Sequence, residues 1–160
     1  MCWQCDHPEA TRADYHDVLR RTIRKNGWAV QFVESDRNPF AYTIGLHAAG
    51  LPELLVTGLS PDWSMRLLNT VANYLIRERV PAPGDTMQLP DGWQAEFVAV
   101  AAPDAHMGLA VELCGPEVRA LQIVWRDKHG HSPWCPEFNK GGGRQPVLGV
   151  RGPQAYWKSL

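Results

Sequence analysis

Two stretches of the chain carry apolar residues at helical spacing, and between and after them lie short apolar runs of the kind strands make. Tyr15, Val18, Leu19 and Ile23 form the first stripe, within Thr11 to Asn26. Thr11 is placed to cap this helix, Asp14 lies in its first turn where the dipole favours an acid, and Asn26-Gly27 supplies the stop. The second stripe is Trp63, Leu67, Leu68, Val71, Leu75 and Ile76. It follows Ser60-Pro61-Asp62, a cap, an N-terminal proline and an acid, and is expected to fade near Arg79 before Pro81 and Pro83.

Trp28 to Glu34, Phe40 to Leu46 and Glu53 to Leu59 read as strands, parted by the turn formers Asn38-Pro39 and Gly50-Leu51-Pro52. Links this short favour antiparallel neighbours over crossovers. Met87 to Leu89 and Trp93 to Ala101 read as a hairpin about Pro90-Asp91-Gly92, and Ala120 to Trp125 as a buried strand. Ala105 to Cys114 fits a short helix or a strand equally. The pattern predicts an α+β fold: one domain over 1–160, with a mainly antiparallel, meandering sheet packed by two main helices. Residues 1–10 form an N-terminal cysteine-containing arm, and 128–160, rich in glycine and proline, an irregular tail.

Composition narrows the function classes. The chain has 160 residues, 44% of them hydrophobic, enough for a real core. Sixteen basic and seventeen acidic residues are interspersed and give a net charge of -1, so duplex nucleic acid is not an expected partner. No run is long and apolar enough for a membrane span, and no secretory leader pattern opens the sequence, so a cytoplasmic location is expected. In that compartment four cysteines are thiols or metal ligands sooner than disulfides.

The sharpest chemical signal is Cys2-Trp3-Gln4-Cys5, with His7 two residues on. C-x-x-C spacing lets both sulfurs turn toward one ion or pair as a dithiol. Cys2, Cys5 and His7 are therefore the expected metal ligands, with zinc the expected metal. Four ligands are needed for a structural site, and Cys114, Cys135, His129 and His131 are the distant residues that could complete it. A thioredoxin-like role is disfavoured, since no strand leads into the pair.

His129-x-His131-x-x-x-Cys135 is a second metal-capable run, although Gly130, Ser132 and Pro133 also suit a solvent-exposed turn. Nucleophilic catalysis finds little support: there is no G-x-S-x-G elbow, and Cys114 has only the remote His47 or His106 for a partner. Gly141-Gly142-Gly143-Arg144 lacks the Lys-Ser/Thr of a phosphate loop. Thr43, His47, Gln122, Trp125, Asp127 and Arg151 are a candidate ligand-binding set, if they meet at one sheet edge.

Several segments resemble the domain of unknown function 4262 family. They are Cys5-Asp6-His7-Pro8 with Asp14-Tyr15, Gly27-Trp28-Ala29-Val30-Gln31, Ala41-Tyr42-Thr43-Ile44-Gly45-Leu46 and Leu51-Pro52-Glu53-Leu54. Ala120-Leu121-Gln122-Ile123-Val124-Trp125-Arg126-Asp127 and Gln145-Pro146-Val147-Leu148-Gly149 complete the set. The resemblance implies a single-domain, soluble bacterial protein. It brings no established activity and no catalytic residue, and His131 and Cys135 are not part of the resemblance.

These readings converge on a cytosolic, zinc-responsive binding or regulatory protein acting through a protein partner, for example in stress or translation. Ligation by the N-terminal thiols would convert metal binding into order of that arm. The alternatives are a small-molecule enzyme with a cleft near Thr43, His47 and Asp127, and a structural or oligomer-forming domain.

Overall fold

The computed structural model describes residues 3–142 and 144–151. The two helical stripes become the two long helices. Helix α1 is a single turn, Trp3–Asp6, and α2 spans Arg12–Asn26. Thr11 and Asp14 cap α2 reciprocally: the Thr11 side chain accepts from Asp14 N, and the Asp14 carboxylate accepts from Thr11 N. Gly27 closes it in the left-handed conformation at φ 93°, a backbone state that glycine adopts without cost. Helix α3 spans Pro61–Arg77, with Ser60 accepting from Trp63 N as its cap.

Among the described residues six strands form one sheet: β1 Ala29–Val33, β2 Phe40–Ile44, β3 Glu53–Thr57, β4 Thr86–Gln88, β5 Gln94–Ala99 and β6 Ala120–Trp125. Their spatial order is β1-β2-β3-β6-β5-β4. Four of the five pairings are antiparallel, so the α+β reading with a mainly antiparallel sheet holds. The meander is interrupted at one place. β6 inserts beside β3 and runs parallel to it, Glu53 opposite Ala120 and Leu55 opposite Gln122. Both strands are fully buried on both faces, which suits a central parallel pair.

The stretch that fitted helix or strand is helical, as α4 Pro103–His106 and α5 Gly108–Cys114. Two cores result. Leu67, Leu68, Val71 and Leu75 of α3 pack with Leu54, Val56, Leu121 and Ile123 on one face of the sheet. Leu19 of α2, Met107 and Ala110 pack with Ile44, Leu55 and Ala120 on the other. From Asp127 onward the described residues are irregular apart from a short 3-10 turn, Phe138–Gly141, and an isolated antiparallel bridge from Gly149 to Val100; the rest of the expected tail, Gly143 and residues 152–160, lies outside the described residues. That tail is stitched to the sheet. Gln145 donates to Trp125 O at 2.8 Å and accepts from Trp125 N at 2.9 Å, and Gln122 donates to Pro146 O at 2.7 Å.

Candidate metal centre

Strand β6 ends at Trp125, and two residues later Asp127 turns its side chain inward and organises the loop that follows. One carboxylate oxygen accepts from His129 N and His131 N, both at 2.9 Å; the other accepts from Asn139 N at 2.8 Å. Burial by itself would raise the Asp127 pKa, but these three amides and the nearby His131 hold it down, at about 2. The carboxylate is therefore ionised at neutral pH and fixed in orientation. Asn139 and Lys140 both sit at positive φ, 45° and 58°, a costly state for residues with a side chain. Asn139 is held there partly by its bond to Asp127.

His131 lies between two carboxylates. Its Nδ1 is 3.4 Å from Asp127 Oδ2, and its Nε2 is 3.2 Å from Glu137 Oε2. Nδ1 is buried and, at this geometry, makes no well-formed hydrogen bond. Cys135 completes a group: the donor atoms of His131, Cys135 and Glu137 all lie within 4.8 Å of one another. Tetrahedral zinc places such donors about 3.3–3.8 Å apart, given its usual bond lengths. Glu137, 77% exposed, has the freedom to move toward the other two donors.

The loop is also tied to the core. Phe138, between Glu137 and Asn139, is buried against Trp125 with ring centroids 5.3 Å apart. Trp125 in turn approaches Trp93 at 5.8 Å, and Trp93 stacks on Trp63 at 5.3 Å. Beside this ladder opens a cleft of about 540 Å³, lined by Trp93, Gln94, Arg126, Asp127, Lys128 and Asn139 among others. Trp134, within the metal-capable loop, lies under the Arg151 guanidinium at 3.7 Å, and Arg151 forks onto both oxygens of Glu96 in β5 at 3.1 Å.

The expected site residues are distributed as follows. Cys5 and His7 are exposed, at the end of α1 and just after it, while Cys2 lies outside the described residues. Thr43 and His47 come together around Glu53. That carboxylate is wholly buried and accepts from Thr43 Oγ1 and from the amides of Gly45, Leu46 and His47, at 2.8–3.2 Å. Burial raises the Glu53 pKa, against the pull of those four donors. Trp125 and Asp127 come together at the other end of the sheet. Tyr42 shares a row with Leu55 and Gln122, Thr43 lies one residue toward the start of β3, and Asp127 lies five residues beyond Gln122, roughly 16 Å along an extended chain.

Gln122 spends its side chain on Thr57, Pro146 and Leu148, and Arg151 spends its own on Glu96. The six residues thus do not form one cleft. Cys114 is not set up as a nucleophile either, because burial and the nearby Glu53 raise its thiol pKa. Glu53, Glu137 and Asn139 are the polar positions of these two clusters that the sequence did not single out. Only Glu137 left a signal, as the last member of His131-x-x-x-Cys135-x-Glu137.

Fold and loop together define an α+β protein with a single mixed sheet and a metal-capable loop at the end of its central strand. The chain belongs to the family described as Domain of unknown function (DUF4262), whose model matches residues 22–139 and so spans both the sheet and this loop. No curated protein and no solved structure matches it.

Proposed function

We propose that this chain is a metal-binding, zinc-responsive protein whose ion is held by His131 Nε2, Cys135 Sγ and Glu137. The observation that carries this reading is the orientation of His131. A ligating histidine normally directs its second ring nitrogen at a carboxylate or carbonyl, which fixes the tautomer and strengthens the ligand. Asp127, ionised and immobilised by three backbone amides, stands 3.4 Å from His131 Nδ1, where a small turn of the ring on metal binding would complete that bond. A donor set of nitrogen, sulfur and oxygen suits zinc, and a calcium or magnesium site would be built from oxygen alone.

Three protein donors leave a fourth position for water, a substrate or a further ligand. Binding would draw Glu137 and Cys135 toward His131 and tighten the 131–139 loop on Trp125 through Phe138. Metal supply thereby becomes local order, and the protein acts as a metal-dependent regulatory or binding module toward a protein partner. The N-terminal Cys2, Cys5 and His7 are the alternative ligand set of the same chemistry.

Cobalt substitution tests the reading. A thiolate-to-cobalt charge-transfer band is expected in the intact protein, retained in Cys5→Ser and lost in Cys135→Ser. A band that survives Cys135→Ser and disappears in Cys2→Ser/Cys5→Ser would move the metal to the N-terminal arm.

A further inference from the structure

Four ligands close a structural zinc site, and His131, Cys135 and Glu137 supply three. The occupant of the fourth position decides whether such a loop can act on a substrate or only hold its own shape. His129 brings a second imidazole to His131. Their ring centroids lie 6.3 Å apart, with the planes at 47°. Two imidazoles on one tetrahedral zinc have centroids about 5 Å apart, given the usual zinc–nitrogen bond lengths. The pair thus stands only about 1 Å wider than a shared ion requires.

The backbone sets this pair up. One carboxylate oxygen of Asp127 accepts from both His129 N and His131 N at 2.9 Å, so a single buried anion fixes both residues. Asp127 N donates to His131 O and Gly130 N donates to Asp127 O, each at 2.9 Å, closing 127–131 into a tight turn. Gly130 lies between the two histidines at a φ of 83°, the left-handed state that lets the chain turn there. The His129 side chain is exposed, and among the described residues its ring has no hydrogen bond or ion pair to give up. Asp127 itself is no rival for the fourth position. Its oxygens are taken by three amides, and it faces His131 Nδ1, which points away from Nε2.

We propose that His129 is the fourth ligand, so that the loop encloses one zinc with His129, His131, Cys135 and Glu137 and leaves no position for water. This rests on the three-ligand reading above and takes it further. A thiolate, a carboxylate and two neutral imidazoles cancel the charge of the ion, so the closed site is neutral beside the Asp127 carboxylate. Without an open position the ion orders the loop and polarises no substrate, which makes the site a structural or metal-sensing one and not a hydrolytic one.

The test is a titration of cobalt(II) into the full chain, His129→Ala, Lys128→Ala and Cys135→Ser under reducing conditions. The visible d–d bands report coordination number, and the thiolate charge-transfer band reports Cys135. Azide, which enters an open position, is then added. The expected result is an intense, four-coordinate d–d spectrum that azide leaves unchanged in the wild type and in Lys128→Ala. In His129→Ala the thiolate band stays, while affinity falls by about tenfold or more, the least that losing even a residue behind a ligand costs. Azide then shifts the d–d bands of this variant, and added imidazole restores the wild-type spectrum. Azide-sensitive bands in the wild type, or affinity and bands that His129→Ala leaves unchanged, would overturn the proposal, while a thiolate band that depends on Cys135 keeps the three-ligand reading. Absence of that band from the wild type, or its survival in Cys135→Ser, would overturn both.

Discussion

Glu53 gives up its water to the interior and recovers four hydrogen bonds, from the Thr43 hydroxyl and the amides of Gly45, Leu46 and His47. Oε2 accepts from two amides, so Glu53→Gln would set an NH₂ group against two N–H donors and is expected to destabilise the fold by about 1–3 kcal/mol in urea unfolding. The pH dependence has a definite sign. Because burial raises the folded pKa of Glu53 above its unfolded value, its contribution is fully present below the unfolded value and is lost as pH rises through the folded one. The stability gap between wild type and Glu53→Gln should therefore narrow as pH rises from about 4.5, near the unfolded carboxyl value. A widening gap would mean that the four donors outweigh burial.

Asp127 is the opposite case, with its pKa held low by amides and, in the proposed site, the role of orienting His131. Asp127→Asn keeps the shape but removes the charge, and turns an amide group toward one or other of the loop N–H donors. Zinc affinity, read by competition with a chromophoric chelator, is expected to fall 10- to 100-fold, as is usual for a carboxylate behind a histidine ligand. An unchanged affinity would remove Asp127 from the site.

At the scale of elements, caps and periodicity made most of the fold legible. The Thr11–Asp14 pair, Ser60-Pro61 and the Ala120–Trp125 run appear in the structure where local chemistry placed them. Thr11→Ala is expected to cost about 1 kcal/mol, because it frees an amide at the start of α2. The parallel pairing of β3 with β6 was not legible. It joins residues 67 apart in sequence, and no local pattern records which strand a buried run will meet. The metal-capable loop was half legible: the His131 and Cys135 spacing was visible, but Glu137 and the turn of Asp127 onto His131 depend on tertiary packing.

The tail's attachment is likewise a tertiary fact. Gly149 lies against β5 so closely that a Cβ there would stand 1.9 Å from Ala99 O, a backbone atom that cannot yield. Gly149→Ala should therefore detach the segment after 142 while leaving the sheet intact. Limited proteolysis would show this as faster cleavage in the tail with unchanged circular dichroism.

Over the whole molecule, one sheet separates two regions. The Glu53 nest lies at the start of β3, and the loop of His131, Cys135 and Glu137 beyond the end of β6. The chain Phe138, Trp125, Trp93 and Trp63 joins the loop to the face covered by α3, so any ordering of the loop by an ion would reach packed rings of the core. An ion that binds the folded chain alone should stabilise it by about 2.7 kcal/mol at a concentration one hundred times its dissociation constant. The most direct measurement is the zinc content of protein purified without a metal-affinity tag, by elemental analysis, for the wild type, His131→Ala/Cys135→Ser and Cys2→Ser/Cys5→Ser. Close to one zinc per chain is expected in the wild type and the N-terminal variant, and almost none in the loop variant. Equal zinc in wild type and loop variant, or none in any of the three after reconstitution under reducing conditions, would contradict it.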